Sequence, residues 1–220
     1  VPGESYLAVL DGLQDANSIR TIMCRQEGGS AMMAEAYGKL TGKPGVCLVT
    51  RGPGATNASA GIHIAMQDST PLVMLVGQVG REMMDREAFQ EIDYRRMYGE
   101  LTKWVAQIED TSRIPEYISR AFHTATAGRP GPVVLALPED MLTEYADSKI
   151  INSYQKIEAY PSPTDLVRFE KMLISAKSPL MIVGGGGWDE ASCQKLQSFA
   201  EINNLPVGCS FRCQDYFDNR

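Results

Sequence analysis

Histidine is scarce in this sequence, and CxxC pairs are absent. Only two histidines occur, His63 and His123, and neither has a partner at the spacing of a zinc site. The five cysteines are irregularly spaced, which is typical of reduced thiols in a cytosolic protein rather than of a disulfide framework. We therefore expect no metal site built from this chain alone, and a cytoplasmic location.

Long apolar runs and an excess of basic charge are also missing. No run approaches the roughly 18–20 apolar residues that cross a bilayer, and no signal peptide is visible. The 21 lysines and arginines are outnumbered by 27 aspartates and glutamates, which gives a net charge of −6 and a pI of about 5.0. Because a nucleic-acid partner would need a basic face, we expect neither a nucleic acid nor a membrane as partner.

Short apolar runs alternate with helix-like segments along the first 150 residues. The predicted strands are Ile19–Met23, Val46–Thr50, Leu72–Val76 and Val133–Leu137. The predicted helices are Tyr6–Gln14, Ser30–Leu40, Ala55–Met66 and Thr111–Ala127. This alternation predicts an α/β fold, a doubly wound parallel sheet with helices on both faces. In the second helix, the three- and four-residue spacing of Met32, Met33, Ala36, Tyr37 and Leu40 predicts the buried face.

The strand–helix rhythm lapses between Asp147 and Pro163 and then resumes. We assign residues 1–150 to a first domain, 151–163 to a linker marked by two prolines, and 164–220 to an incomplete second domain. The chain begins with valine rather than methionine, and its last residues do not resemble a natural stop. We therefore expect it to be a piece of a longer protein.

One acidic residue, Glu27, stands at a predicted strand-to-helix turn, and the glycine-rich turn Gly52-Pro53-Gly54 follows the next predicted strand. Open α/β folds bind their ligands at the carboxyl ends of the strands. An acidic and a glycine-rich turn of this kind therefore predict two walls of one pocket.

Six motifs along the chain carry a resemblance to a known family. They are Arg25-Gln26-Glu27-Gly28-Gly29, Gly42-Lys43-Pro44-Gly45-Val46, Gly52-Pro53-Gly54-Ala55-Thr56-Asn57, Asp68-Ser69-Thr70-Pro71-Leu72-Val73, Ala88-Phe89-Gln90-Glu91 and Gly128-Arg129-Pro130-Gly131-Pro132-Val133. Their order and spacing resemble the acetolactate synthase-like thiamine diphosphate enzymes. Each motif alone is weak, but six in order cover nearly all of Val1 to Leu142.

The resemblance implies that residues 1–150 form a thiamine diphosphate pyrimidine-binding domain, followed by a truncated Rossmann-like central domain. It implies that Glu27 is the catalytic residue, which contacts N1′ of the aminopyrimidine and activates the cofactor by proton exchange. The residues it implies for cofactor binding are Pro2, Gly3, Glu27, Pro53, Gly54, Asn57 and Gln90. Those it implies near the substrate are Phe89 and Gln90.

The implied activity is that of a carboligase or decarboxylase, a transferase or lyase acting on small 2-oxo acids. In the family a C-terminal domain with a Gly-Asp-Gly motif holds Mg²⁺ and the diphosphate, and this sequence contains no Gly-Asp-Gly. The family's active sites lie between subunits, so a homodimer or homotetramer is implied. Some members also bind FAD in the central domain, and the glycine run Gly184–Gly187 leaves FAD open here.

Three positions depart from the commonest synthase pattern. Gln26 replaces a histidine, Gly28 replaces a glutamine, and Glu139 stands where the synthases usually carry a lysine. These departures leave the cofactor assignment intact but open the choice of substrate, so an oxalyl-CoA decarboxylase-like or benzaldehyde lyase-like enzyme is an alternative. Two further alternatives are a non-catalytic assembly module of the same family and a nucleotide-binding protein that uses its glycine turns.

Overall fold

The computed structural model describes residues 1–149 and 151–218, and the chain divides into two compact units, Val1–Lys156 and Ile157–Arg220. The division falls inside the predicted linker. The assignment of two domains stays a prediction. Residues 150 and 220, which end the two predicted domains, lie outside the described residues. Within the described ranges, no helix combines the length and the apolar character that a membrane crossing would need.

The first unit is an α/β structure with a four-stranded parallel sheet, as predicted. Its strands are β1 (Gly45–Val49), β2 (Leu72–Gln78), β3 (Trp104–Gln107) and β4 (Pro132–Pro138), in the order β1-β2-β4-β3. Its helices are α1 (Leu7–Asp15), α2 (Glu27–Thr41), α3 (Pro53–Asp68), α4 (Tyr94–Tyr98) and α5 (Ile114–Thr126). The predicted strands at residues 46, 72 and 133 are each present within two residues of their expected starts and ends.

Helices cover both faces of this sheet, which is the expected consequence of strands that are buried on both sides. Leu72, Met74 and Val76 of β2 pack in one core with α2, α3 and α4. Val73, the alternate residue of the same strand, packs in a second core with α5, and Val9 of α1 contacts that core. The predicted double winding is therefore visible in the alternation along β2.

Helices α2 and α3 pack together through small side chains. Ala31 and Ala34 of α2 share a core with Ala55, Ala58 and Ala65 of α3, and all five are buried. Small residues let two helix backbones approach closely, and the many alanine, glycine and serine residues of α3 predict such a contact. The side of α2 that faces its neighbour is consequently the alanine side.

The predicted buried face of α2 is therefore wrong. Met33 and Tyr37 are each 50% exposed, and Leu40 is 84% exposed. The helix instead buries Ala31, Ala34, Glu35 and Gly38. Periodicity marks which residues share a face, but it cannot tell which face a neighbouring alanine-rich helix will cover.

The predicted strand Ile19–Met23 is also wrong. These residues form no helix or strand, and Ile19, Ile22 and Met23 are more than half exposed. β-branched residues favour a strand only where a neighbouring strand supplies the hydrogen-bonded ladder. The segment before Glu27 is irregular, so the strand that positions the candidate site is β1.

The second unit repeats the strand–helix rhythm on a smaller scale. It contains the helices α6 (Pro163–Ser175) and α7 (Glu190–Ile202) and the parallel pair β5 (Met181–Val183) and β6 (Val207–Cys209). The glycine run follows β5, as predicted, and leads toward α7. The Asp189 carboxylate caps that helix by accepting a 2.7 Å hydrogen bond from the backbone N–H of Ser192.

Candidate functional site

The candidate site lies where β1 ends and α3 begins. Glu27 occupies the first turn of α2 and is half-buried. Its Oε2 accepts a 3.0 Å hydrogen bond from Nδ2 of Asn57, which lies in the first turns of α3. Gln26 begins α2 by accepting a 2.7 Å hydrogen bond from the backbone N–H of Gly29. Asn57 thus orients the Glu27 carboxylate, and Gln26 fixes the start of the helix that carries it.

Gly54 lies close to the other carboxylate oxygen. A methyl group added at Gly54 would stand 3.6 Å from Oε1 of Glu27 and 2.9 Å from Cγ2 of Thr50. The second distance is too short for a side chain, so glycine is the residue that lets the start of α3 approach Thr50 this closely. The Glu27 carboxylate therefore stands next to the glycine-rich start of α3.

The loop at the start of the chain crosses the end of β1. A methyl group added at Gly3 would lie only 2.4 Å from Cβ of Thr50. The hydroxyls of Ser5 and Thr50 are hydrogen-bonded at 2.8 Å, and the amino group of Val1 donates to the carbonyl oxygen of Leu48 at 3.2 Å. These contacts bring Pro2 and Gly3 to the same strand end as Gly54.

The segment around Phe89 and Gln90 packs on the glycine-rich turn. Gly52 has a φ of +57°, which glycine adopts readily, and a methyl group there would lie 2.7 Å from Cβ of Gln90. Gln90 is half-buried, whereas the Phe89 side chain is 73% exposed. The carboxylate of Glu91 fixes this segment by accepting from the backbone N–H groups of Asp85 and Ala88 at 2.7 and 3.1 Å.

The sequence-predicted residues are therefore linked rather than equally close. A hydrogen bond joins Glu27 and Asn57, and a methyl group added at Gly54 would reach the same carboxylate. The first loop joins them through Thr50, and Gln90 joins them through Gly52. Pro53 is exposed at the first position of α3, where a proline is favourable because no helical donor is lost.

Two residues at this strand end escaped the sequence analysis. The hydroxyl of Tyr94 donates to the carbonyl oxygen of Gly77 at 3.2 Å and accepts from the backbone N–H of Gly52 at 3.1 Å. Burial raises the pKa of Tyr94 to about 12, so the hydroxyl stays protonated and can donate. Arg51 is the second, and it is buried with only 7% of its surface exposed.

The position of Arg51 is the signal that could have revealed it. A charged residue stands directly between a buried strand and the Gly52-Pro53-Gly54 turn, and such a residue needs a partner. Its guanidinium forms ion pairs with Glu4 at 2.8 Å and with Glu139 at 3.1 Å. Glu139 departs from the lysine of the synthase pattern, and an acid at this position indicates a positively charged partner such as Arg51.

The charge of Glu27 affects at least one neighbouring group. Burial, followed by the negative charge of Glu27 and the thiol of Cys47, raises the pKa of Tyr6 to about 12. The Tyr6 hydroxyl therefore remains a donor, and it donates to the carbonyl oxygen of Val1. This bond holds the first loop in place next to the candidate site.

A cleft of about 400 Å³ lies beside the site rather than on it. Its lining includes Glu4, Tyr6, Gly80 and Glu139, but not Glu27. In residues 1–149 and 151–218, no group of three histidine, cysteine, aspartate or glutamate side chains could hold a metal ion. The Glu27 site is thus an open surface of this chain, with a fixed carboxylate at its centre.

Fold and site together define a class: a doubly wound α/β domain that carries a carboxylate and a glycine-rich turn at the end of a parallel strand, where folds of this kind bind their ligands. Comparison with known proteins is more specific. Residues 1–97 match the family described as thiamine pyrophosphate enzyme, N-terminal TPP binding domain. The predicted resemblance to thiamine diphosphate enzymes of the acetolactate synthase-like family is confirmed.

Curated relatives are similar along nearly the whole chain. It is 33% identical to acetolactate synthase 3, chloroplastic, of Brassica napus over 226 residues, which cover 97% of this chain and 34% of the relative. It is 35% identical to the acetolactate synthase large subunit of Corynebacterium glutamicum, with 94% and 34% covered. It is 37% identical to acetolactate synthase isozyme 3 large subunit of Escherichia coli, with 95% and 38% covered. The chain thus spans between 34% and 38% of the length of these relatives.

Proposed function

We propose that this chain is the N-terminal part of a thiamine diphosphate-dependent enzyme that acts on 2-oxo acids as a carboligase or decarboxylase. Its relatives are named acetolactate synthases. The observation that carries the proposal is the Glu27 carboxylate, held by Asn57 next to the glycine-rich start of α3. The match of residues 1–97 to a thiamine pyrophosphate enzyme N-terminal domain supports the proposal that this carboxylate activates the cofactor.

Each residue at the strand end then has a distinct task. When bound, the cofactor supplies the carbon–carbon chemistry, and the protein orients it. Asn57 donates to Oε2 of Glu27 and orients the carboxylate, which would hold or return a proton at the pyrimidine ring of a bound cofactor. Such acid–base catalysis contributes about 10²–10⁴-fold to a rate. Gly3 and Gly54 let the backbone pack closely on Thr50 at this strand end, and Phe89 and Gln90 would border the substrate.

The departures from the synthase pattern have structural explanations in this chain. Gln26 caps α2, and Glu139 forms an ion pair with Arg51. A methyl group added at Gly28 would lie 2.9 Å from Oε1 of Gln26 and 3.1 Å from the carbonyl oxygen of Asn57. Because local contacts account for all three residues, we retain a 2-oxo acid as the proposed substrate class.

We further propose that the enzyme is a homodimer or homotetramer and that Mg²⁺ and the diphosphate are bound by a part of the protein other than this chain. Apolar side chains that a globular protein would otherwise bury support an oligomer, since Ile22, Met23, Met33 and Leu40 are each at least half exposed. The Gly184–Gly187 turn is better explained as structural than as an FAD site. The Asp189 carboxylate already occupies the N-terminus of α7, where it would repel a phosphate.

Calorimetry separates the enzyme from the assembly-module alternative. We expect the full-length protein to bind thiamine diphosphate tightly and only when Mg²⁺ is present, and to consume a small 2-oxo acid, with pyruvate as the first probe. This chain by itself should bind the cofactor far more weakly, because the diphosphate and the metal would have no ligands. A full-length protein that binds no cofactor, with or without Mg²⁺, would contradict the proposal and favour the assembly module.

A further inference from the structure

One buried cation connects three separate segments of the first unit. Nε of Arg51 donates to the carbonyl oxygen of Phe89 at 3.3 Å. Its Nη1 donates to Oε2 of Glu139 at 3.1 Å, and its Nη2 donates to Oε1 of Glu4 at 2.8 Å. The arginine side chain is 9% exposed, whereas those of Glu4 and Glu139 are 68% and 48% exposed. The contacts therefore converge on the arginine rather than on either acid.

Two of these segments border the candidate site. Glu4 directly follows Gly3 of the first loop, and Phe89 directly precedes Gln90, whose side chain packs on Gly52. Arg51 itself precedes Gly52. A planar guanidinium has five N–H donors in a fixed arrangement, so it can bind several acceptors in defined directions, which a lysine cannot do.

The segment that Arg51 holds is strained. Asp85, Glu87 and Gln90 are non-glycine residues with φ values of 60°, 54° and 65°, in the left-handed region. Residues in that region persist only where surrounding contacts hold them. The contacts that hold this segment are the Glu91 carboxylate on one side and the Arg51 guanidinium on the other.

We propose that Arg51 is a positioning residue that holds the first loop and the segment at residues 85–90 around Glu27. Its described contacts are to Glu4, Phe89 and Glu139 and not to Glu27, so Arg51 acts through the two segments that meet at the end of β1. The expected effect on cofactor binding rests on the proposed function, while the expected effect on the two segments does not.

The same contact explains why an acid stands at position 139. The buried guanidinium needs an opposite charge, and Glu139 supplies one at 3.1 Å. A lysine there, as the synthases usually carry, would place a second cation against the first. Arg51 and Glu139 therefore form a matched pair, and reversing one charge should release the held segments.

Hydrogen–deuterium exchange on this chain tests the proposal without a cofactor. In Arg51→Met and in Glu139→Lys, we expect backbone amides of residues 3–6 and 85–92 to exchange at least about tenfold faster, because those segments lose their shared contact. Arg51→Lys should give an intermediate increase. Amides of β3 should exchange as in the wild type. Arg129→Met is the matched control, since Arg129 also bridges segments of this unit, by donating to Ser69 and Met66, but far from the site.

Unchanged exchange in residues 3–6 and 85–92 of the Arg51 variants would overturn the proposal, as would an equal increase throughout the first unit. If Arg51→Met does not fold, Arg51→Lys and Glu139→Lys decide the outcome by the same criterion. In the full-length protein, Arg51→Met should also weaken thiamine diphosphate binding by about 10- to 100-fold. If the wild-type protein binds no thiamine diphosphate, the proposed function fails, whereas exchange still decides the role of Arg51.

Discussion

Replacing Glu27 with glutamine should slow the exchange of the C2 proton of bound thiamine diphosphate by about 10²–10⁴-fold. Glutamine has nearly the same size as glutamate, and its amide oxygen can still accept the hydrogen bond that Asn57 donates to the carboxylate. The fold should therefore be kept. What is lost is an oxygen that can take and return a proton, and Asn57, the described partner of this carboxylate, has an amide that cannot replace it.

The exchange rate is measured by quenched-flow NMR of the full-length protein in D₂O with thiamine diphosphate and Mg²⁺. Glu116→Gln is a suitable control, because Glu116 lies exposed on α5, where it pairs with Arg113. The control should retain the wild-type rate. An exchange rate in Glu27→Gln within about twofold of the wild type would remove Glu27 from cofactor activation.

Replacing Gly45 with alanine at the start of β1 should strongly lower the stability of the fold. An added methyl group would lie 1.9 Å from the carbonyl oxygen of Ala34 and 2.6 Å from its carbonyl carbon. Both atoms belong to the backbone of α2, so no side-chain rotation relieves the contact. Since α2 would have to move away from β1, we expect a loss of about 3 kcal/mol or more in the free energy of unfolding.

Urea denaturation of the wild type, of Gly45→Ala and of a control variant measures this difference in the free energy of unfolding. Gly12→Ala is the matched control, because Gly12 is exposed in α1 and nothing lies within 4 Å of its added methyl group. That substitution should gain about 0.5–1 kcal/mol from helix propensity alone. A Gly45→Ala variant that unfolds as the wild type does would show that α2 and β1 are less closely packed than described.

Local sequence signals were sufficient for most of the first unit. The run Leu72 to Val76 predicts a buried strand because it is apolar, short and preceded by a proline, and β2 occupies it with two further residues. The turn Gly52-Pro53-Gly54 predicts the start of α3, since proline is favourable at the first helical position and glycine adopts the positive φ found at Gly52. Information of this kind lies within a few neighbouring residues.

The predictions that failed needed information from distant residues. Ile19–Met23 has strand propensity, but the residues lack a described strand partner, and the exposed face of α2 depends on the alanines of α3. Arg51 was missed for the same reason, because its partners Glu4 and Glu139 lie 47 and 88 residues away along the chain. Long-range contacts of this kind leave no periodic pattern in the sequence.

The candidate site shows both situations. The residue pattern predicted that an acid and a glycine-rich turn follow the ends of neighbouring strands. The roles of the individual residues came from the resemblance to thiamine diphosphate enzymes. The fold adds the contacts that give these roles physical content: Asn57 donates to one carboxylate oxygen of Glu27, and the other lies next to Gly54 at the start of α3.

The most direct measurement of the central claim is the ¹⁵N NMR signal of thiamine diphosphate labelled at N1′, bound to the full-length protein with Mg²⁺. A carboxylate that shares a proton with N1′ should move this resonance far from its position in free cofactor, and Glu27→Ala should return it most of the way. The same displaced resonance in both proteins, or none in either, would contradict the assignment of Glu27 as the partner of the pyrimidine ring.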